Sequence, residues 1–379
     1  MSIRGLKTIP TYRQAHIDLD ALQANYRWVK SLAPRAKLMA MVKSNAYGHG
    51  LIKIAKALPV ADAFGVATLS EALALREVGI LQRIVLLPGF FEPSELSLIS
   101  YHNIEIVVHQ YEQLAILEKI ALPHPLKVWL KIDTGMHRLG FAAERTQAVY
   151  QRLMQCQAVA KPIVVMSHFA DADDVSKTTT QQQLAQFNEV IQGLDVLKSI
   201  AHSAGILTCL ESHFDWVRPG ILLYGVSPIL GEASHSELQA VMTLQARLLA
   251  INPLKKGECI GYGGTWVCDE DMSVGVVSIG YGDGYPRHAP SGTPVLVNGV
   301  VCPLIGRVSM DFITVDLRPC PQAKIGDTVT LWGRGLPIES VAKQVGTIPY
   351  ELTCQITPRV EFIYHGESKT LEQEELFCV

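Results

Sequence analysis

The sequence predicts an α/β protein, a (β/α)8 TIM barrel followed by a C-terminal, mainly antiparallel β domain. Three observations predict it. Between about residue 37 and residue 225 strand-like and helix-like segments alternate eight times. Each strand-like segment is a near-continuous apolar run, the pattern of parallel strands covered on both faces. After about residue 240 the texture changes to short β-like runs separated by glycine turns. Eight units in about 200 residues suggest a closed barrel, and an open doubly wound sheet is the alternative that periodicity leaves open.

The strand segments are, in order, "KLMAMVK", "AFGVAT", "RIVLLPG", "IEIVVH", "LKVWLKI", "IVVMSHF", "KSIAHSA" and "WVRPGILLYG". Between them lie "LIKIAKALP", "LSEALALREVG", "PSELSLISYH", "YEQLAILEKIAL", "ERTQAVYQRLMQC", "QQQLAQFNEVIQGL" and "ILTCLESHF", whose apolar residues recur at helical spacing. In the second part "VLVNGVVCPL" sets an Asn-Gly pair between apolar runs, a strong hairpin signal. Helical spacing returns only at "LPIESVAKQVG". The expected domains are residues 14–239 for the barrel and 240–379 for the β domain, with the N-terminal segment 1–13 expected to join the β domain. The boundary is expected within "SPILGEASHSELQ".

Composition narrows the function. The 379 residues are 48% hydrophobic, enough for a sizeable core, and the net charge of -3 offers no basic stripe for nucleic acid. No uninterrupted apolar run is long enough to span a bilayer, and "MSIRGLKTIPTYRQ" lacks the apolar core of a signal peptide. The eight cysteines (Cys156, Cys209, Cys259, Cys268, Cys302, Cys320, Cys354 and Cys378) are scattered without a C-x-x-C pair. That suits reduced thiols better than disulfides or a zinc site. A cytoplasmic protein is expected, with no membrane, nucleic-acid or metal partner.

In a barrel the working residues stand at the carboxyl ends of the strands. Those ends give Lys43 and Tyr47 after the first strand, Lys131 and Asp133 on the fifth, and Arg138 nearby. The sixth gives His168, the seventh His202 and Ser203, and the eighth Arg218 and Gly220. A lysine closing an apolar strand either lies at the solvated rim or points into a cleft, where burial makes it a nucleophilic amine. Each of the others has a structural alternative: a serine caps a helix, an arginine pairs with a carboxylate, a histidine bonds to backbone. Jointly they outline an anion site with an amine beside it.

At these residues the chain resembles the alanine racemases. "MVKSNAYGHG" looks like their lysine motif for pyridoxal 5'-phosphate, and "KIDTGMHRLGF", "SHFADAD", "FDWVRPGILLYG", "GYGGTW", "IGYGDGYPR", "IGRVSMDFITVDL" and "GTIPYELTC" follow in order, covering nearly the whole chain. The resemblance implies that Lys43 carries the cofactor as a Schiff base and is one of two catalytic bases, with Tyr262 the other. Inverting an α-carbon needs an acid/base on each face, which one lysine cannot supply. Tyr47, Ser203, Gly220, Ile221 and Tyr350 match phosphate-binding positions. Arg218 matches the arginine facing the pyridine nitrogen, and His168 the histidine bonded to the catalytic tyrosine. Arg138 and the backbone of Met310 match contacts to the substrate carboxylate, Tyr281 a tyrosine at the substrate entrance, and Asp311 a residue orienting that loop. Lys131 would set a second cation beside Arg138, and in many members the matching lysine is carbamylated.

The resemblance further implies interconversion of L- and D-alanine, for peptidoglycan or for degradation, by a homodimer with shared active sites. Two departures stand out. The residue before the phosphate serine is commonly Asn and here is His202; some members back the pyridine-facing arginine with a His where this chain has Ser199. Competing readings are a racemase of broader specificity, a non-catalytic pyridoxal-phosphate carrier, and a metal hydrolase using His168, Asp171, Asp173 and Asp174. A decarboxylase on the same barrel would need H-I-G-S and C-D-S motifs that the chain lacks.

Overall fold

A computed structural model describes residues 12–229 and 236–366. Residues 1–11 of the N-terminal segment expected to join the β domain, positions 230–235 of the expected boundary and Cys378 lie outside the described residues. Among the described residues the chain divides into two compact units, one running from Leu22 to Leu238 and the other combining the residues up to Ala21 with residues 239–366.

In the first unit eight strands close on themselves. They are Lys37–Met41, Ala63–Val66, Arg83–Leu86, Ile104–Val108, Leu126–Asp133, Val159–Met166, Leu197–His202 and Trp216–Arg218. Each pairs in parallel with the next, and the eighth returns to the first through Trp216↔Lys37 and Val217↔Leu38. Closure removes the open-sheet alternative. Buried runs such as Ala63–Val66 and Ile104–Val108 show why the strands read as continuous apolar segments, since interior and helical layers cover both faces. The expected helices form after their strands, for example Leu69–Glu77, where Thr68 and Glu71 make a reciprocal capping box.

The amino ends of the strands hold a charged plug. Arg83 begins the third strand and binds Glu105 of the fourth through both carboxylate oxygens, at 2.5 and 2.8 Å. Trp129 Nε1 donates to the same carboxylate at 2.8 Å, and the Arg83 guanidinium lies 4.6 Å from the Trp216 ring centroid. Chemistry is therefore left to the opposite, carboxyl-end face.

Two elements stand where the periodicity marks none, strand Gln14–Asp18 and helix Leu19–Leu32. The strand also corrects the expected barrel boundary at residue 14. It pairs antiparallel with Met242–Leu254 and parallel with Glu361–His365, inside the sheet of the second unit. Its burial alternates along the strand, as in a sheet packed on one face only. The rest of that sheet is antiparallel apart from this one pair, and includes the expected hairpin Pro294–Val297 and Val300–Pro303 around Asn298-Gly299.

Candidate active site

The first barrel strand ends at Met41, and Lys43 opens a turn of unusual hand. Ser44, Asn45, Ala46 and Tyr47 all have φ between 53° and 55°, one left-handed turn of helix. Gly48 and Gly50, also at positive φ, release the chain into helix Leu51–Ala57. The turn is stabilised from outside. Asn45 N donates to Glu71 Oε1 at 3.1 Å, Leu51 N donates to Asn45 Oδ1 at 2.9 Å, and His49 Nδ1 donates to Tyr47 O at 2.9 Å. Burial pushes the His49 imidazole down to about 4, against the opposing pull of the Tyr47 and Ala46 carbonyls.

This reversal returns the Tyr47 ring to the eighth strand. Its hydroxyl meets Gly220 so closely that a Cβ there would lie 2.4 Å from the phenol oxygen. Ser203 Oγ accepts from Gly220 N at 2.8 Å and from Leu222 N at 3.4 Å. Ile221 opens the 3-10 turn Ile221–Tyr224 directly after the glycine. Two hydroxyls thus converge on main chain freed of a side chain, a donor set that fits a phosphate ester.

Arg218 is buried beside this cradle. Nη1 donates to Ser199 Oγ at 2.7 Å, and Nη2 to Ser167 O at 2.6 Å and Ile200 O at 3.1 Å. Ser199 Oγ in turn donates to Trp216 O at 2.9 Å. Burial lowers the guanidinium to about 9, so it is still a cation at neutral pH, held by neutral acceptors. His168 Nδ1 accepts from Arg218 Nη2 at 3.3 Å, which leaves the proton on Nε2. Burial, then His202 and Arg218, hold His168 well below the usual imidazole range.

The two departures now have separate explanations. Ser199, not His202, supports Arg218. His202 caps helix Ser203–Thr208 through Nδ1, which accepts from Ala204 N at 3.1 Å, and donates from Nε2 to Phe169 O at 3.3 Å. Lys131 is buried at the end of the fifth strand and pushed down to about 7 by that burial, then by Arg218 and Arg138, with Asp133 opposing. Arg138 is exposed. The carboxylates of the considered metal cluster are engaged elsewhere, Asp171 with Lys177 at 2.9 Å and Asp174 with Ser176. Among the described residues no group of three or more His, Cys, Asp or Glu could hold a metal ion.

The second unit carries the remaining residues. Tyr262 stands 69% exposed in the 3-10 turn Tyr262–Gly264, at the tip of a hairpin formed by Cys259–Ile260 and Trp266–Val267. Gly261 and Gly263, at φ 70° and 73°, make that tip possible. Tyr281 and Met310 are brought together by backbone bonds from Tyr281 N to Ser309 O and from Gly282 N to Met310 O, at 3.0 and 2.9 Å. Both side chains are exposed. Tyr350 lies on helix Pro349–Cys354, just before a turn bonded to Asp283. Asp311 receives a hydrogen bond from Arg359 Nη2, a partner 48 positions away that no local pattern announces.

Comparison with known proteins places both units. Residues 17–228 match the family model "Alanine racemase, N-terminal domain" and residues 241–364 match "Alanine racemase, C-terminal domain". An alanine racemase of Coxiella burnetii (strain RSA 331 / Henzerling II) is 51% identical over 355 residues, 92% of this chain and 98% of the relative. The solved biosynthetic alanine racemase from Pseudomonas aeruginosa superposes with a TM-score of 0.91 at 43% identity, covering 94% of this chain and all of that one. An alanine racemase from Bartonella henselae, solved with covalently bound pyridoxal phosphate, gives 0.86 at 32% identity over 94% of this chain and 100% of its own.

Proposed function

The chain belongs to the alanine racemase family and interconverts L-alanine and D-alanine, and from that premise we propose that it does so with pyridoxal 5'-phosphate and with Lys43 and Tyr262 as its two bases. One observation carries the cofactor assignment. Tyr47, Ser203 and Gly220, from three separate places in the chain, converge at the ends of the strands from which Lys43 and Arg218 also issue.

When bound, the cofactor supplies a conjugated ring that draws electron density from the substrate α-carbon. Lys43 Nζ moves the α-proton on one face and the Tyr262 hydroxyl on the other, which inverts the centre. Tyr47 and Ser203 donate hydroxyl protons to phosphate oxygens, joined by the main chain at Gly220 and Ile221 and by Tyr350. Arg218 faces the ring nitrogen; at a pKa of about 9 it keeps its own proton at neutral pH rather than transferring it. His168, with its proton on Nε2, donates to the Tyr262 hydroxyl and tunes it. Arg138 and the Met310 N–H bind the substrate carboxylate, Tyr281 lines the entrance, and Asp311 orients the Met310 loop.

Lys131 completes the charge balance. With its pKa near neutrality, a sizeable fraction of the amine is unprotonated and nucleophilic toward carbon dioxide. Addition of Nζ to the carbon, with loss of one proton, gives a carbamate whose negative charge offsets the positive charges of Arg218 and Arg138 that act on Lys131. Lys131→Ala is therefore expected to lose most of its activity and regain part of it in added bicarbonate. A variant as active as wild type, with no bicarbonate response, sinks the idea.

The working form is a homodimer with shared sites, acting in the cytoplasm to supply D-alanine for peptidoglycan or to degrade it. No helix among the described residues is long and apolar enough to cross a membrane. The non-catalytic carrier reading fails on the second domain, which matches over residues 241–364. The purified protein should racemise alanine and absorb at the edge of the visible range. Borohydride should remove that band and fix the cofactor on Lys43 in a peptide map. Cofactor found on another lysine overturns the assignment.

A further inference from the structure

Three stretches of the second unit that carry proposed site residues are far apart in sequence. Residues 280–284 hold Tyr281, residues 309–311 hold Met310, and helix Pro349–Cys354 with the turn after it holds Tyr350. They meet around one carboxylate. Asp283 is fully buried, and its Oδ2 accepts from Arg13 Nε and from Gly280 N, each at 2.9 Å. On its other side Arg359 Nε stands 3.2 Å from Oδ1, too obliquely for a hydrogen bond, so charge alone acts there. The same guanidinium donates from Nη2 to Asp311. It also packs against Gly282, where an added Cβ would be 2.3 Å from Nη1.

The backbone around this ion pair is packed to contact. A Cβ on Gly280 would fall 2.3 Å from Ser309 O, and one on Gly284 would fall 2.3 Å from Gln355 O. Thr357 N donates to Asp283 O at 3.1 Å and Thr357 Oγ1 to Gly282 O at 2.9 Å. Three chain segments therefore touch through glycines, and one arginine spans the carboxylates of two of them from the third. Exposed ion pairs contribute little, but a pair closing on a fully desolvated carboxylate holds its partner more firmly. Asp311 and Asp283 both favour the charged guanidinium and raise its pKa.

We propose that Arg359, bridging Asp283 and Asp311, is a positioning residue that fixes Tyr281, the Met310 N–H and Tyr350 in one arrangement and so sets the affinity for the substrate carboxylate. This rests on the roles given to those three residues under Proposed function. Arg359 touches neither substrate nor cofactor; it acts through the loops. Without it the Met310 amide loses its fixed aim, and binding suffers before the proton transfers at Lys43 and Tyr262 do.

The test compares Arg359→Met and Arg359→Lys with wild type in two independent assays. In racemisation kinetics Arg359→Met should raise KM for alanine about tenfold and leave kcat within about twofold, the loss expected for one charge-assisted contact. Arg359→Lys, which can satisfy only one carboxylate, should fall between. In hydrogen exchange the amides of Tyr281 and Gly282 should exchange about tenfold faster in Arg359→Met, with the cofactor still reducible onto Lys43. Unchanged KM and unchanged exchange in a folded variant overturn the proposal, as does a fall in kcat with KM constant. Where Arg359→Met does not fold, Asp311→Asn removes a single arm and must still speed exchange at Gly282; protection equal to wild type sinks the idea. Exchange needs no substrate, so a wild-type protein that failed to racemise alanine would refute the function and leave the clamp to be decided separately.

Discussion

His202 shows how one residue can keep its bonds and change its response to pH. Its two nitrogens serve Ala204 N and Phe169 O, and burial, then Arg218, holds it at about 4 against 6.5 in the unfolded chain. On acidification the unfolded state takes up the proton first. The stability carried by neutral His202 is thus complete above about pH 6.5 and is lost as the pH falls toward 4. An asparagine keeps the cap, Oδ1 accepting from Ala204 N where Nδ1 stood, without titrating, and gives up the bond to Phe169 O. His202→Asn should lie within about 1.5 kcal/mol of wild type at pH 7 and lose less stability between pH 7 and pH 5, by on the order of a few kcal/mol at most. His49, lowered for the same reason, leaves a residual slope in both proteins. Urea midpoints at the two pH values decide it: parallel losses would show that His202 is not the titrating group.

The left-handed turn after Lys43 is the element on which the barrel side of the site depends. Each non-glycine residue in that conformation costs about 1–2 kcal/mol, and four follow one another. Asn45 is the member that tolerates it best, and its side chain also accepts from Leu51 N. Asn45→Ala should destabilise the protein by about 1–2 kcal/mol and weaken cofactor retention through displacement of Tyr47. A change within about 0.5 kcal/mol in urea unfolding would show that Glu71 and His49 suffice. This turn was only half legible. Gly48 and Gly50 mark a loop, but Ser44, Ala46 and Tyr47 have no left-handed preference, so the handedness is imposed by residues packed around them. Arg359 was hidden for a related reason, because its partners are 48 and 76 positions away and no spacing rule links them. The barrel, by contrast, could be read directly, since strands covered on both faces must be apolar throughout. Strand Gln14–Asp18 goes unmarked in the sequence and falls inside the expected barrel range, because five alternating residues do not reveal their neighbours.

At the scale of the whole molecule the two proposed bases stand on different units, Lys43 on the barrel and Tyr262 on the β unit. The proposed sharing of sites across a two-fold dimer makes a sharp prediction for complementation between Lys43→Ala and Tyr262→Phe. Each variant alone should be nearly inactive. After co-refolding of equal amounts about half the dimers are mixed, and each holds one site with both bases, so roughly a quarter of wild-type activity should return. A mixture as inactive as its parts would place both bases of each site in a single chain. The placement of strand Gln14–Asp18 has a consequence of another kind, for the order in which the protein is made. That strand lies between Met242–Leu254 and Glu361–His365, so the whole barrel is an insertion within the β unit. On the ribosome the barrel emerges with every strand it needs, Lys43 and the phosphate cradle included, before the β unit has more than its first strand. At about 5–20 residues per second, Gln14–Asp18 waits roughly 20–70 seconds for its last neighbour to be synthesised. The unit that carries Tyr262, the proposed second base, is therefore the last to be completed, and a chain arrested before Glu361 would hold Lys43 and the cradle without a finished β sheet.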